Sequence, residues 1–114
     1  MNLELSTLPN DVSRIKLDGD LDIAGVGEVE TRFYAYCADS PRVLVDLSGV
    51  NFIASLGIRM LLQAIKTVSA PGGRLVLLNP TRIVAPALDI WGLGRYMVHG
   101  GDAEASAALL ESPK

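Results

Sequence analysis

The chain is short of the side chains that carry most enzyme chemistry. Cys37 is its one cysteine, so no disulfide can close within the chain. Inside a helical stretch it reads as a small apolar residue rather than a reactive thiol. His99 is the one histidine, so Ser-His or Cys-His catalysis would hang on it alone. It stands in Val98-His99-Gly100-Gly101, near the expected end of the last strand, where a solvated or capping histidine is the simpler reading. No cluster of His and Cys has metal-ligand spacing. Gly25-Val26-Gly27 lacks the third glycine and the preceding buried strand of a dinucleotide loop. Asp18, Asp20 and Asp22 could hold a cation, but turn and cap roles explain them better. The expectation is a chain with no catalysis of its own, no metal and no cofactor.

Two further absences narrow the class. The 10 basic residues are scattered among 13 acidic ones, for a formal net charge of −3. A nucleic-acid groove needs clustered Lys and Arg, so none is expected. No apolar run approaches the roughly 20 residues that span a bilayer. The start, MNLELSTLPND, has neither the basic beginning nor the apolar core of an export signal. A cytoplasmic protein without membrane insertion is the expectation.

What the sequence does hold is enough apolar side chain, 49% of 114 residues, for one domain over 1–114 with a real core. Residues 3–7 alternate, Leu3, Leu5 and Thr7 against Glu4 and Ser6. Residues 12–17 do the same, Ser13, Ile15 and Leu17 against Val12, Arg14 and Lys16. Period-two alternation around Pro9-Asn10-Asp11 predicts a β-hairpin. Gly19-Asp20-Leu21-Asp22-Ile23 reads as a loop leading into a helix on which Val26, Val29, Phe33 and Cys37 share a face. The unbroken runs Val43-Leu44-Val45 and Leu75-Val76-Leu77-Leu78 suit interior, parallel strands. Between them Ser55–Ala70 has helical period, and Pro71-Gly72-Gly73 stops it, giving a βαβ crossover.

Thr81 is a candidate cap for a short helix over Arg82–Ile90, late or kinked because of Pro86 and ended by Gly92. Trp91 is expected to pack over one end of the core. Tyr96–Val98 reads as a last strand and Ala103–Leu110 as a last helix. The order is ββαβαβαβα, an α/β fold with a mixed sheet and about four helices.

The functional signal lies where the second long helix begins. At about 100° per residue, Ile58, Leu61, Leu62, Ile65 and Val68 form its core face. Arg59, Gln63 and Thr67 gather opposite, and Leu56 and Met60 fall with them. With Phe52 and Ile53 in the preceding loop, these side chains predict an apolar docking patch. Ser55 has two readings. It is an N-cap whose hydroxyl accepts from a first-turn N–H. Alternatively it is a site where a phosphate would add charge beside the patch without unfolding the helix.

The stretch Asp46-Leu47-Ser48-Gly49-Val50-Asn51-Phe52-Ile53-x-Ser55-x-Gly57-Ile58 resembles the STAS domain of bacterial anti-sigma factor antagonists. Gly19-Asp20-Leu21-Asp22-Ile23 is similar to that family's second signature, and Leu88-Asp89-Ile90-Trp91-Gly92-Leu93 to its helix end. The resemblance implies a phosphoprotein at Ser55, bound by an anti-sigma factor serine kinase and restored by a phosphatase. It implies a contact surface of Asp22, Phe52, Ile53, Ala54, Ser55, Leu56, Gly57, Arg59, Met60 and Gln63. The family's aspartate before the serine is Ala54 here, and its small residue after is Leu56. The missing carboxylate could otherwise help position the kinase's nucleotide and metal. The resemblance also allows a constitutive adaptor in a stress-signalling scaffold, other larger complex or lipid ABC transporter.

Overall fold

The computed structural model describes residues 1–110; the last four residues of the expected domain lie outside them. The hairpin forms as expected. Strand β1 (Asn2–Leu8) pairs antiparallel with β2 (Val12–Leu21). Asn10 and Asp11 turn the chain at φ 68° and 59°, a left-handed region that short polar side chains tolerate. Leu3, Ile15 and Leu17 face the main core. Leu5 is exposed at the sheet edge, whereas Val12, on the other side, is buried in a second core.

Helix α1 (Ile23–Ala38) buries Val26, Val29, Phe33 and Cys37, as their spacing predicts. Burial pushes the Cys37 thiol up to about 12, which fits an inert packing residue. Strand β3 (Arg42–Ile53), helix α2 (Ser55–Ser69) and strand β4 (Arg74–Leu78) follow. The five-stranded sheet has the order β1-β2-β3-β4-β5, parallel at every pair except β1–β2.

Two stretches expected as loops are strand. Gly19-Asp20-Leu21 ends β2, and Phe52-Ile53 ends β3; the two strand ends pair with each other, Asp20 with Phe52 and Leu21 with Ile53. Register shifts between Lys16 and Asp18 and between Gly19 and Asp20 interrupt the ladder. Such irregularities break the period-two pattern that marks a strand in sequence.

Helix α3 (Val84–Ile90) carries Pro86 at its third position, inside the first turn where no N–H partner is lost. The expected Thr81 cap is corrected: the N-cap of α3 is Ile83, with no side-chain cap bond. Thr81 instead folds the entry turn, its hydroxyl accepting from the Val84 N–H at 3.3 Å and its carbonyl from the Ala85 N–H at 2.8 Å. A 3-10 turn over Gly94–Tyr96 leads into the two-residue strand β5 (Met97–Val98), shorter than expected, and then helix α4 (Asp102–Leu110). Val84 and Leu88 of α3 join α1 and α2 over the main core. Ala105 and Leu109 of α4 cover Val12, Leu44, Val76 and Leu78 on the opposite face of the sheet.

One partly buried ionic network ties α4 to the sheet. Asp46 is only 5% exposed. Its Oδ2 accepts from Arg14 Nη2 at 2.6 Å and its Oδ1 from the Ser48 N–H at 2.9 Å. Arg14 Nε also donates to Asp102 Oδ1, the first residue of α4, at 2.9 Å. Burial pushes the Asp46 carboxyl upward, but the Ser48 and Arg14 hydrogen bonds outweigh it and hold the group below its ordinary value. A carboxylate whose pKa is lowered by folding stabilises the fold fully above its unfolded value of about 4. That contribution is lost as pH falls through the folded-state value. The melting temperature should therefore drop on acidification below about pH 4, and Asp46→Asn should flatten that part of the curve. At neutral pH, Arg14→Ala should cost about 3 kcal/mol by leaving a buried charge alone.

Candidate protein-binding site

The paired ends of β2 and β3 place the two sequence signatures side by side. The Ala54 N–H donates to the Leu21 carbonyl at 3.0 Å, extending the ladder one residue past β3. This holds Ala54 extended, at φ −97° and ψ 171°, and the helix starts on the next residue. Ala54 is therefore the N-cap of α2, with no side-chain cap bond, and Ser55 is the first helical residue. The expectation that Ser55 caps the helix is corrected. Its hydroxyl makes no hydrogen bond among the described residues and faces solvent.

On the other side of the stitch, Asp22 caps α1. Its Oδ1 accepts from the Gly25 N–H at 2.8 Å and its carbonyl from the Val26 N–H at 2.9 Å. Both helix starts press on backbone. A Cβ on Gly57 would lie 2.6 Å from the Leu21 carbonyl oxygen and 2.9 Å from Ile53 Cγ1, and one on Gly25 would collide with the Asp20 carbonyl. Only glycine lets these turns approach so closely.

Helix α2 is rotated from the expected orientation. Met60, expected outside, is 1% exposed and sits in the main core. Leu62, expected inside, is half-buried at the surface. Because α2 packs against both the sheet and α1, its buried arc includes Gly57, Met60, Leu61, Ala64 and Val68. At about 100° per residue, that arc is centred on the Gly57–Leu61–Ala64 line rather than on Ile65. Leu56 is half-buried and packs against the core edge. The exposed Leu56–Met60 patch does not exist.

A groove takes its place. It has a volume of about 570 Å³. Ser55, Ile58, Arg59 and Leu62, one stripe at i, i+3, i+4 and i+7, line it from α2. Ala54 and Leu56 flank the stripe, and Ile23 and Trp91 close the sides. Of the expected contact residues, the groove gathers Ala54, Ser55, Leu56 and Arg59. Ile53, Gly57 and Met60 lie buried behind it, while Phe52 and Gln63 are exposed, and Asp22 half-buried, off its lining.

Trp91 does not pack over the core; it is 55% exposed. Helix α3 ends at Ile90, Gly92 takes φ 77°, and the Leu93 N–H returns to the Leu88 carbonyl at 2.9 Å. This glycine-terminated end turns Leu93 inward as its apolar contact and leaves Trp91 outside. Ile23, 77% exposed, was missed as a site residue. Its signal was an isoleucine directly after a capping aspartate, on the polar side of α1.

Arg59 is the groove's one charged lining residue, and it has no ion pair among the described residues. On the α1 flank, the Tyr34 phenol is raised mainly by burial and then by the Glu30 charge, against a lowering by Arg59. The groove is thus an apolar trough with one cation and one free hydroxyl. It has the composition of a protein-contact surface, an aromatic and an arginine around aliphatic side chains. Two substitutions should separate its support from its lining. Gly57→Ala should cost roughly 1–3 kcal/mol by overpacking and speed hydrogen exchange at the Ala54 amide. Trp91→Ala should stay within about 1 kcal/mol and leave that amide protected.

The STAS domain family model matches residues 5–107. The anti-sigma F factor antagonist of Lysinibacillus sphaericus is 25% identical over 107 residues, covering 92% of both chains. The unphosphorylated anti-sigma factor antagonist SpoIIAA superposes with a TM-score of 0.80 at 23% identity, over 94% of this chain and 95% of that one. The phosphorylated form of the Bacillus cell-fate determinant SpoIIAA gives 0.76 at 22% identity, over 94% and 98%. With mixed sheet, four helices and paired signature turns in place, the chain belongs to the STAS-domain family and is similar to its anti-sigma factor antagonists.

Proposed function

We propose that this chain, acting as one domain in the cytoplasm, is a non-enzymatic regulator that binds an anti-sigma factor of the serine-kinase type through the Ser55 groove. Phosphorylation of Ser55 releases the partner, and a phosphatase restores binding. The observation that carries the reading is the placement of Ser55: solvent-facing, free of hydrogen bonds among the described residues, at the start of α2 and on the lip of an apolar groove. Two relatives support it in kind. One is named an anti-sigma F factor antagonist, and SpoIIAA has both a phosphorylated and an unphosphorylated form.

The physics of the switch follows from that placement. In the proposed reaction Ser55 Oγ attacks the γ-phosphorus of a nucleoside triphosphate held by the kinase. The Oγ–P bond forms, the bond to the nucleoside diphosphate breaks, and the hydroxyl proton passes to a base on the kinase. The product carries about −1.5 to −2 charge. At the N-terminal end of a helix that charge is tolerated, so the fold stands. A partner docked over Ile23, Leu56, Leu62 and Trp91 would have to desolvate the phosphate, which is costly. Binding is lost while the domain stays intact. Phe52, Gln63 and Asp22 fit the rim of such an interface, and Met60 takes no part.

Ala54 favours a second reading. With no carboxylate beside Ser55 to help position a kinase's metal, the same groove would serve a constitutive adaptor in a scaffold or transporter complex. The test uses Trp91, the single tryptophan, as reporter. A kinase-type anti-sigma factor from the same genome should shift its emission to shorter wavelength on binding. Ser55→Asp should weaken that binding at least about tenfold, equivalent to 1.4 kcal/mol, and shift stability by less than about 0.5 kcal/mol. Ser55→Ala should bind like the parent. Equal binding by the aspartate variant, with no phosphate transferred by the kinase, would leave the constitutive reading.

A further inference from the structure

We propose that a phosphate on Ser55 is clamped by Arg59 of the same helix. This deepens the reading of Ser55 as a phosphorylation site and rests on it. Ser55 and Arg59 stand four residues apart on α2, so their Cβ atoms lie about 6 Å apart on one face. Both are exposed and both line the groove. Neither is engaged elsewhere: the serine hydroxyl has no hydrogen bond and the guanidinium no ion pair among the described residues. The neighbouring acids do not compete. Asp22 is occupied by the Gly25 N–H, and Glu30 on α1 makes no ion pair with Arg59 within 4.0 Å. Tyr34 and Cys37, the other titratable groups on that flank, are neutral at physiological pH because burial raises both.

A phosphate is what this pair lacks. Its oxygens accept two parallel N–H bonds from a guanidinium, a geometry a single serine hydroxyl cannot supply. Arg59 is long enough to fold back one turn, and the apolar walls of Ile58 and Leu62 beside it raise the value of the pairing by thinning the surrounding water. The clamp has a consequence for regulation. In the unmodified chain the groove offers a partner one free cation. In the modified chain that cation is consumed internally, so the partner loses an attractive charge as well as meeting a repulsive one. Specificity changes of this kind gain from acting on both terms.

The experiment installs phosphoserine at position 55 of the full chain during translation, without any kinase, and follows the phosphate by phosphorus NMR as pH is varied. With Arg59 present, the second phosphate pKa should lie below that of the phosphorylated Arg59→Gln chain by about half a unit to one unit. The gap should narrow at high salt. Arg59→Lys should keep part of the lowering, and Lys66→Gln, three turns further along, should leave it unchanged. Identical pKa values with arginine and glutamine at 59, in chains with equal melting temperatures, would overturn the clamp. Because the phosphate is placed by translation, that result would leave open whether a kinase modifies Ser55. Conversely, failure of a kinase to act on Ser55 would leave the titration as it stands.

Discussion

The site depends on one backbone hydrogen bond, from the Ala54 N–H to the Leu21 carbonyl. It joins the last residue before α2 to the last residue of β2, one residue before the cap of α1. Both helices therefore begin at the same corner of the sheet, their first turns side by side. Gly57 and Gly25 permit the close approach, since a side chain on either would run into the backbone that it packs on. Everything functional at this corner is a consequence. Ala54 is held extended, Ser55 becomes the first helical residue, and the stripe Ser55, Ile58, Arg59, Leu62 is aimed at the gap between Ile23 and Trp91.

The two faces of the sheet divide the work. The face under α1, α2 and α3 buries the larger core and ends at the groove. The face under α4 carries a small apolar cluster and the Arg14–Asp46–Asp102 network. On the second face Arg14 is paired with Asp46 and Asp102; on the first, the groove's cation has no ion pair among the described residues. The proposed switch gains from that arrangement, because a phosphate on Ser55 would find a local counter-ion and the fold need not absorb its charge.

Much of this was legible in the sequence. Uninterrupted apolar runs gave the interior strands, helical spacing gave Val26, Val29, Phe33 and Cys37, and turn chemistry gave the hairpin and the Thr81 entry turn before α3. The signature stretches gave the fold and pointed to Ser55. Other features were hidden for physical reasons. Bulged pairing between β2 and β3 disguised strand as loop. The orientation of α2 depends on a second neighbour, α1, of which helical spacing within α2 carries no signal; hence Met60, expected outside, is inside. The glycine-terminated end of α3 chose Leu93 over Trp91 for the interior, a choice made by backbone geometry and invisible to hydrophobicity alone.

The central claim is that the Ser55 groove is the face by which this chain meets its protein partner. The most direct measurement is a nitrogen-15 NMR titration of the labelled chain with a kinase-type anti-sigma factor from the same genome. The account predicts the largest changes at the amides of Ile23 and Ala54 to Arg59 and at the Trp91 indole, with α4 and the β1 edge unmoved. Changes concentrated on α4 or β1, with the groove silent, would contradict it.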